Sequence, residues 1–287
     1  MGINIEYIIQ DNPRGLAHAV AISQDFIQDD EFLMYLGDNL VHSELYQFVE
    51  EFKNNKNDAF ILLTPVEDPS RFGIAIMDGS KVTKVVEKPK TPPSNLAIIG
   101  VYVFKPIIFE AIKNIKPSLR GELEITDAID WLISNSKSVG AHIIYGWWKD
   151  TGKPEDLIEA NRKILEKINV SKIEGKVYEN STIAGQVIIE KGAKIIDSII
   201  RGPVIIGANS AVSNAYIGPY SSIGNETVIE SSEIENSIIL NNTTISSIHM
   251  RIDSSIIGSN VNIVSVNKKP KTLNLNIGDY GNIELPK

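Results

Sequence analysis

The chain has 287 residues, 28 Lys and Arg against 36 Asp and Glu, a formal charge of -8 and no cysteine. The acidic balance argues against a general nucleic-acid binder, which needs a basic face. The lack of cysteine excludes disulfides, thiolate metal sites and a thiol nucleophile. No apolar run approaches the ~20 residues of a membrane span, and no signal peptide is visible. A soluble cytoplasmic protein that binds neither nucleic acid nor membrane is the expectation.

Ile3 to Ile9 reads as a strand, Asn12-Pro13-Arg14-Gly15 as a turn, and a helical run follows at once. "EFLMYLGDN" sets five bulky residues, Phe32 to Leu36, in a run too short for a buried helix, so a buried strand ending at Gly37-Asp38-Asn39 is predicted. "AFILLTPV" repeats the form. Asp78-Gly79 stands between two strand-like runs, a strong hairpin signal. "GELEITDAIDWLISN" reads as helix, as does "KPEDLIEANRKILEKI", where Pro154 suits a first helical turn. Strands alternating with helices up to about Ile168 indicate an α/β domain, residues 1–168.

Residues 169–287 follow another rule. Aliphatic residues recur at Val177, Ile183, Ile189, Ile195, Ile200, Ile206, Val212, Ile217, Ile223, Ile229, Ile234, Ile239 and Ile245, in steps of six with occasional fives. Gly follows the aliphatic position at Gly207, Gly218, Gly224, Gly258 and Gly278. Asn209, Asn242 and Asn260 stand where a corner needs a left-handed backbone, which Asn tolerates. A hexapeptide beat of this kind predicts a parallel β-helix whose stacked coils bury the aliphatic column.

Several polar residues fall where chemistry is expected. Asp38 lies just past a predicted strand, where open α/β sheets bind ligands. A carboxylate there can hold Mg²⁺ or simply cap a turn. Asp150, in "GWWKDTGKPEDL", is a second such position, although Asp150 and Thr151 are also ordinary residues just before a helix. Glu87 and Lys88, in "VVEKPK", set an acid beside a cation, a pair that could meet sugar hydroxyls and a phosphate or could simply be solvated. Arg120, in "LRGELEITDA", can fork onto a phosphate, with Glu122 and Glu124 close by.

The ordered set "YIIQDNPRGLAHAV", "YLGDN", "RFGIAIMD", "VVEKPKTPPSNLAIIGVYVF", "RGELEITDAI" and "WWKDTG" resembles the sugar-1-phosphate nucleotidylyltransferases. The nearest resemblance is to long glucose-1-phosphate thymidylyltransferases with a C-terminal β-helix, and "MRIDSSIIGSNVNI" through "NIGDYGNIEL" is similar to their end. The resemblance implies transfer of a nucleotidyl group from dTTP, or UTP, to a sugar 1-phosphate, giving a nucleotide sugar and pyrophosphate in a homo-oligomer. It implies that Gln10 and Gly15 read the base, and that Asp38 and Asp150 hold Mg²⁺. Gly73, Glu87, Gly100 and, more weakly, Tyr102 would line the sugar pocket; Lys88 and Arg120 would hold the sugar phosphate, and Trp148 would wall the site. It implies a left-handed β-helix.

The family pattern places a first strand and a "GxGTRLxPLT"-like loop, then a lysine, ahead of the segment matched by Ile3 to Ile9. That pattern does not occur in these residues. The expected architecture is therefore a truncated Rossmann-like nucleotidyltransferase domain followed by the β-helix. "FLMYLG" is then expected to lie at an apolar sheet edge. Removing one donor that stabilises developing charge costs about 100- to 1,000-fold in rate, so little transferase activity is expected of the 287-residue chain. Two rival readings stand beside this one. One is an inactive structural or regulatory paralogue pairing with a full-length homologue. The other is a hexapeptide acetyltransferase using His249, with Lys268, Lys269 and Lys271 on a CoA phosphate.

Overall fold

The computed structural model describes residues 4–41, 45–265 and 281–284. The chain divides into two compact units, Met1–Gly152 and Lys153–Lys287.

In chain order the first unit contains α1 (Leu16–Ile22), α2 (Gln24–Ile27), β1 (Phe32–Tyr35), β2 (Asn39–Val41) and α3 (Leu45–Asn55). Then come β3 (Ala59–Pro65), β4 (Gly73–Asp78), β5 (Lys81–Glu87), β6 (Leu96–Phe104), α4 (Ile107–Asn114), α5 (Ile125–Ser134), β7 (Val139–Ile143) and β8 (Trp148–Asp150). Six strands form one mixed sheet in the order β1-β6-β3-β7-β5-β4, and β2 and β8 make a separate antiparallel pair. One face of the sheet is covered by α1, α4 and α5 through Ala17, Ile108, Ile129 and Leu132, the other by Phe48 and Phe52 of α3 against Phe60.

Several expectations hold. Residues Ala59–Thr64 of β3 are buried on both faces, as the unbroken apolar run requires. The Asp78-Gly79 hairpin joins β4 to β5, with Gly79 at φ 59°. Two are corrected. Phe32–Tyr35 is not a buried strand: among the described residues it pairs with β6 alone at the sheet's end, and its side chains alternate. Phe32 packs on Phe104 and Phe109, while Leu33 and Tyr35 face out. The open, apolar edge expected there is present. The segment predicted as a strand from Ile3 to Ile9 is not one over residues 4–9: it has no ladder partner among the described residues, and Ile5, Tyr7, Ile8 and Ile9 are exposed. An apolar segment becomes a strand only where a neighbour takes up its N–H and C=O groups.

The second unit opens with α6 (Pro154–Leu165), Pro154 at its first turn. The expected division falls after Ile168; by compactness this helix stands in the second unit, which begins at Lys153. Asn161 Nδ2 donates to Tyr220 O (2.9 Å), Ser222 Oγ donates to Asn161 Oδ1 (2.6 Å), and the Arg162 guanidinium lies 5.8 Å from the Tyr220 ring centre.

Beyond α6 the chain winds into a parallel β-solenoid with three stacked sheets. One sheet steps through Val177, Ile195, Val212, Ile229, Ile245 and Ile263. Hydrogen bonds between turns join residues 16 to 18 apart, three hexads per turn. The predicted column from Ile189 to Ile245 forms a single core, each member at most 2% exposed, with Val177 and Ile183 packed at its end. Corners turn through left-handed backbone, with φ of 59°, 57° and 62° at Asn209, Asn242 and Asn260. Gly278 lies outside the described residues. Among the described residues no helix is long and apolar enough to cross a membrane.

Candidate active site

A cleft of ≈ 230 Å³ in the first unit collects residues from separate elements: Gly73 from β4, Glu87 from β5, Gly100 and Tyr102 from β6, and Trp148 and Asp150 from β8. Lys88, just past β5, and Arg120, in the loop before α5, add the cations.

Two glycines make its floor. At Gly73 a Cβ would fall 2.7 Å from Thr126 Cγ2 and 3.3 Å from Glu87 Oε2. Gly100 has φ +71°, and a Cβ there would stand 2.9 Å from both Asn39 and Leu36. A side chain at either position would press on these neighbours, and at Gly100 it would also strain the left-handed backbone.

Above this floor Glu87 is held by Thr126, whose Oγ1 donates to Glu87 Oε2 at 3.0 Å. Burial pushes the Glu87 carboxyl above its ordinary range, and the Glu124 charge adds to that. The Thr126 hydrogen bond and the charges of Lys88 and Arg120 oppose it. Lys88 Nζ stands 3.8 Å from Glu87 Oε1. The Lys88 backbone is left-handed, φ 37°, with its N–H on Phe72 O, a strained conformation for a residue with a side chain. Arg120 Nη2 reaches Glu124 Oε1 at 2.8 Å, Glu87 Oε1 at 3.3 Å and Glu122 Oε2 at 3.4 Å. The Glu124 hydrogen bond, then the three acidic charges, hold its guanidinium firmly protonated.

Trp148 Nε1 donates to Asn39 Oδ1 (2.7 Å), and its indole meets Phe72 edge-on at 5.3 Å, so a buried asparagine fixes the wall. Tyr102 is stacked on Phe104 and buried; burial and the Glu87 charge push its phenol well above the usual range, so it is a neutral wall.

Asp38 does not line the cleft, yet the fold brings it to Asp150. Asn39 faces Asp150 across the β2–β8 ladder, and Thr151 donates to Asp38 O through both its N–H and its hydroxyl, each at 2.8 Å. Among the described residues no three His, Asp or Glu side chains gather as a metal cage. Two carboxylates on neighbouring positions still suit a hard cation that keeps most of its waters and bridges to substrate phosphates.

Gln10 and Gly15 also stand off the cleft, next to Leu16, which lines it. Gln10 Nε2 donates to Gly15 O (3.3 Å) and lies 2.8 Å from His18 Nδ1; Gly15 is pressed against the Leu123 backbone. Sequence reasoning left out Arg71, Asn39 and Thr126, all cleft residues. Each lay inside a quoted motif, but nothing in its type or spacing separates it from a turn or capping residue. His249 is exposed between two solenoid strands, Thr244–Ser246 and Ile252–Asp253, and Lys268, Lys269 and Lys271 lie outside the described residues.

Residues 1–167 match the family model described as nucleotidyl transferase. The chain belongs to that family. The nucleotidyl transferase match is extended by whole-chain relatives. A glucose-1-phosphate thymidylyltransferase of Streptomyces griseus is 43% identical over 285 residues, covering 99% of this chain and 80% of the relative. The low-salt glycan biosynthesis nucleotidyltransferase Agl11 of Haloferax volcanii is 43% identical over 288 residues, with the same coverage. A UDP-glucose pyrophosphorylase solved with UDP-glucose is 28% identical, with a TM-score of 0.52 over 56% of this chain and 66% of that one. Nucleotidyl transfer is thus the general chemistry of these relatives, built here on an α/β domain followed by a β-solenoid.

Proposed function

We propose that the cleft binds a sugar 1-phosphate, glucose 1-phosphate in the first instance, for nucleotidyl transfer from dTTP, with UTP as the second candidate. The observation that supports this most is the placing of Lys88 and Arg120 beside Glu87 and Thr126 over the Gly73–Gly100 floor. Two cations suit a phosphate dianion; a carboxylate and a hydroxyl suit sugar hydroxyls. The names of the Streptomyces griseus relative and its kin support the choice of sugar and base.

In the reaction a phosphate oxygen of the sugar attacks the α-phosphorus of the triphosphate in line. The new P–O bond forms as the bond to pyrophosphate breaks, with no covalent enzyme intermediate. Lys88 and Arg120 hold the nucleophile's phosphate against its own repulsion from the triphosphate, and Glu87 fixes the sugar so that one oxygen points at phosphorus. Asp38 and Asp150 would hold Mg²⁺, whose chemistry is neutralisation of phosphate charge. Binding of the sugar phosphate is the first readout of this reading.

The test is calorimetric titration of glucose 1-phosphate into the 287-residue chain, with Arg120→Ala and Lys88→Ala beside it. Saturable binding, weakened at least about tenfold in each variant by loss of a charge-assisted contact, is expected. No binding by the unaltered chain would reject the function.

A further inference from the structure

Arg120 meets three carboxylates in the cleft, and they differ in how readily they can let go. The Glu124 side chain is 8% exposed, receives the Ser118 hydroxyl at 2.8 Å, and takes both Nε and Nη2 of Arg120 on one oxygen at 3.3 and 2.8 Å. It is also the residue on which α5 begins. The Glu122 side chain is 38% exposed and touches Arg120 Nη2 at 3.4 Å. A buried carboxylate that loses its cation is left uncompensated at high cost. An exposed one rotates into water at little cost. Arg120 itself is 45% exposed and lines the cleft, so part of its donor fork is open to a ligand.

Resting on the reading that this cleft takes a sugar 1-phosphate, we propose that Glu124 is the positioning residue that aims Arg120 into the cleft, whereas Glu122 occupies, in the free protein, the part of Arg120 that the substrate phosphate takes over. Phosphate binding is then an exchange of anions on one guanidinium. Glu122 leaves for solvent, Glu124 stays, and the site never carries an unpaired cation.

A purely electrostatic role for the acids makes a different prediction. If each carboxylate only repelled the incoming phosphate, neutralising either would tighten binding. The exchange requires opposite signs. Calorimetric Kd values for glucose 1-phosphate are measured for the unaltered chain, Glu122→Gln, Glu124→Gln and Ser118→Ala, with inorganic phosphate as a second probe. Glu122→Gln is expected to bind about threefold tighter, the size of an exposed ion pair. Glu124→Gln is expected to bind about tenfold or more weakly, because Arg120 then swings onto Glu122 and Glu87. Ser118→Ala keeps every charge and is expected to weaken binding about twofold by loosening Glu124; it decides the matter should Glu124→Gln fail to fold. Where the chain turns over, the same variants should move KM for the sugar phosphate and leave KM for the triphosphate in place.

Glu122→Gln binding no tighter, or Glu124→Gln or Ser118→Ala binding no weaker, overturns the exchange while leaving the cleft's function standing. Binding of inorganic phosphate without glucose 1-phosphate overturns the function, and the order of the variants on inorganic phosphate then decides the exchange. Binding of neither probe by the unaltered chain overturns both.

Discussion

Thr126 Oγ1 donates to Glu87 Oε2 across 3.0 Å, tying the first turn of α5 to the last residue of β5. This bond favours the ionised carboxylate, while burial of Glu87 disfavours it more strongly, and the net shift is upward from 4.5. Folded protein therefore holds the Glu87 proton more tightly than unfolded chain does. The ionised side chain costs stability above the folded pKa; the cost fades as pH falls through the folded pKa and is gone below 4.5. Glu87→Gln should raise the urea midpoint at neutral pH and leave it nearly unchanged below that value. It should also weaken glucose 1-phosphate binding about tenfold by loss of a charged acceptor. Equal midpoints at neutral pH would mean that Glu87 is not under strain.

The glycine floor gives a second expectation. Gly100→Ala places a Cβ in a left-handed backbone, 2.9 Å from Asn39 and Leu36. The change should cost about 1–3 kcal/mol in denaturant melts. It should also release Trp148, whose indole N–H is held by Asn39, so a shift in tryptophan fluorescence should accompany the loss. A stable variant with unchanged emission would show that the floor has room to spare.

The solenoid was the more legible half of the molecule, because its hexad beat and its geometry are the same fact seen twice. An aliphatic residue every five or six positions leaves one arrangement that buries all of them, and Asn209, Asn242 and Asn260 mark corners that need left-handed backbone. The α/β unit was legible strand by strand but not edge by edge. Nothing in "FLMYL" says how many neighbours a strand will find, so Leu33 and Tyr35 were expected inside and face out. Likewise "RGELE" announces a cation among acids but not which acid is buried; that follows from Ser118 and the start of α5. Glu87, Lys88, Arg120, Trp148 and Asp150 line one cleft. Asp38 and Gln10 are not among its lining residues.

Corner asparagines supply a stability test independent of the cleft. Asn242 sits at φ 57° and donates from Nδ2 to Asn260 Oδ1 at 2.6 Å, so one corner supports the next. Asn242→Val should cost about 2 kcal/mol, combining a β-branched residue in left-handed backbone with a lost hydrogen bond. Asn242→Gly should cost less, since glycine removes the backbone penalty. Thermal melts that rank Val above Gly would contradict the corner assignment.

The packing of α6 predicts where its mutations are felt. Asn161 is bonded at both ends of its amide, accepting from Ser222 Oγ and donating to Tyr220 O, and Ala160 and Leu165 are buried beside it. Truncating Asn161 to Ala leaves a carbonyl and a hydroxyl short of a partner and should lower stability by about 1–3 kcal/mol. Hydrogen exchange should locate that loss in residues 154–165 and in the solenoid turns holding Tyr220 and Ser222, because α6 is part of the solenoid unit. Faster exchange confined to β5, β6 and α5 would instead place the helix with the α/β domain.

The last expectation concerns the two aspartates. Asp38 and Asp150 come from distant positions in the sequence and are brought together by the β2–β8 ladder, with Thr151 bonded back to the Asp38 carbonyl. Two carboxylates alone are expected to hold a divalent ion weakly, and better when phosphate oxygens complete the shell. Mn²⁺ titration followed by paramagnetic relaxation of water should therefore show loose binding to the chain alone and tighter binding once glucose 1-phosphate and dTTP are present. Asp150→Asn should weaken the second state about tenfold or more, the cost of taking one charged ligand from the ion. Asp38→Asn should do the same, although Asp38 stands outside the cleft lining. Should Asp150→Asn matter and Asp38→Asn not, the ion would be held by Asp150 and substrate alone, and Asp38 would be a residue that shapes the turn before β2.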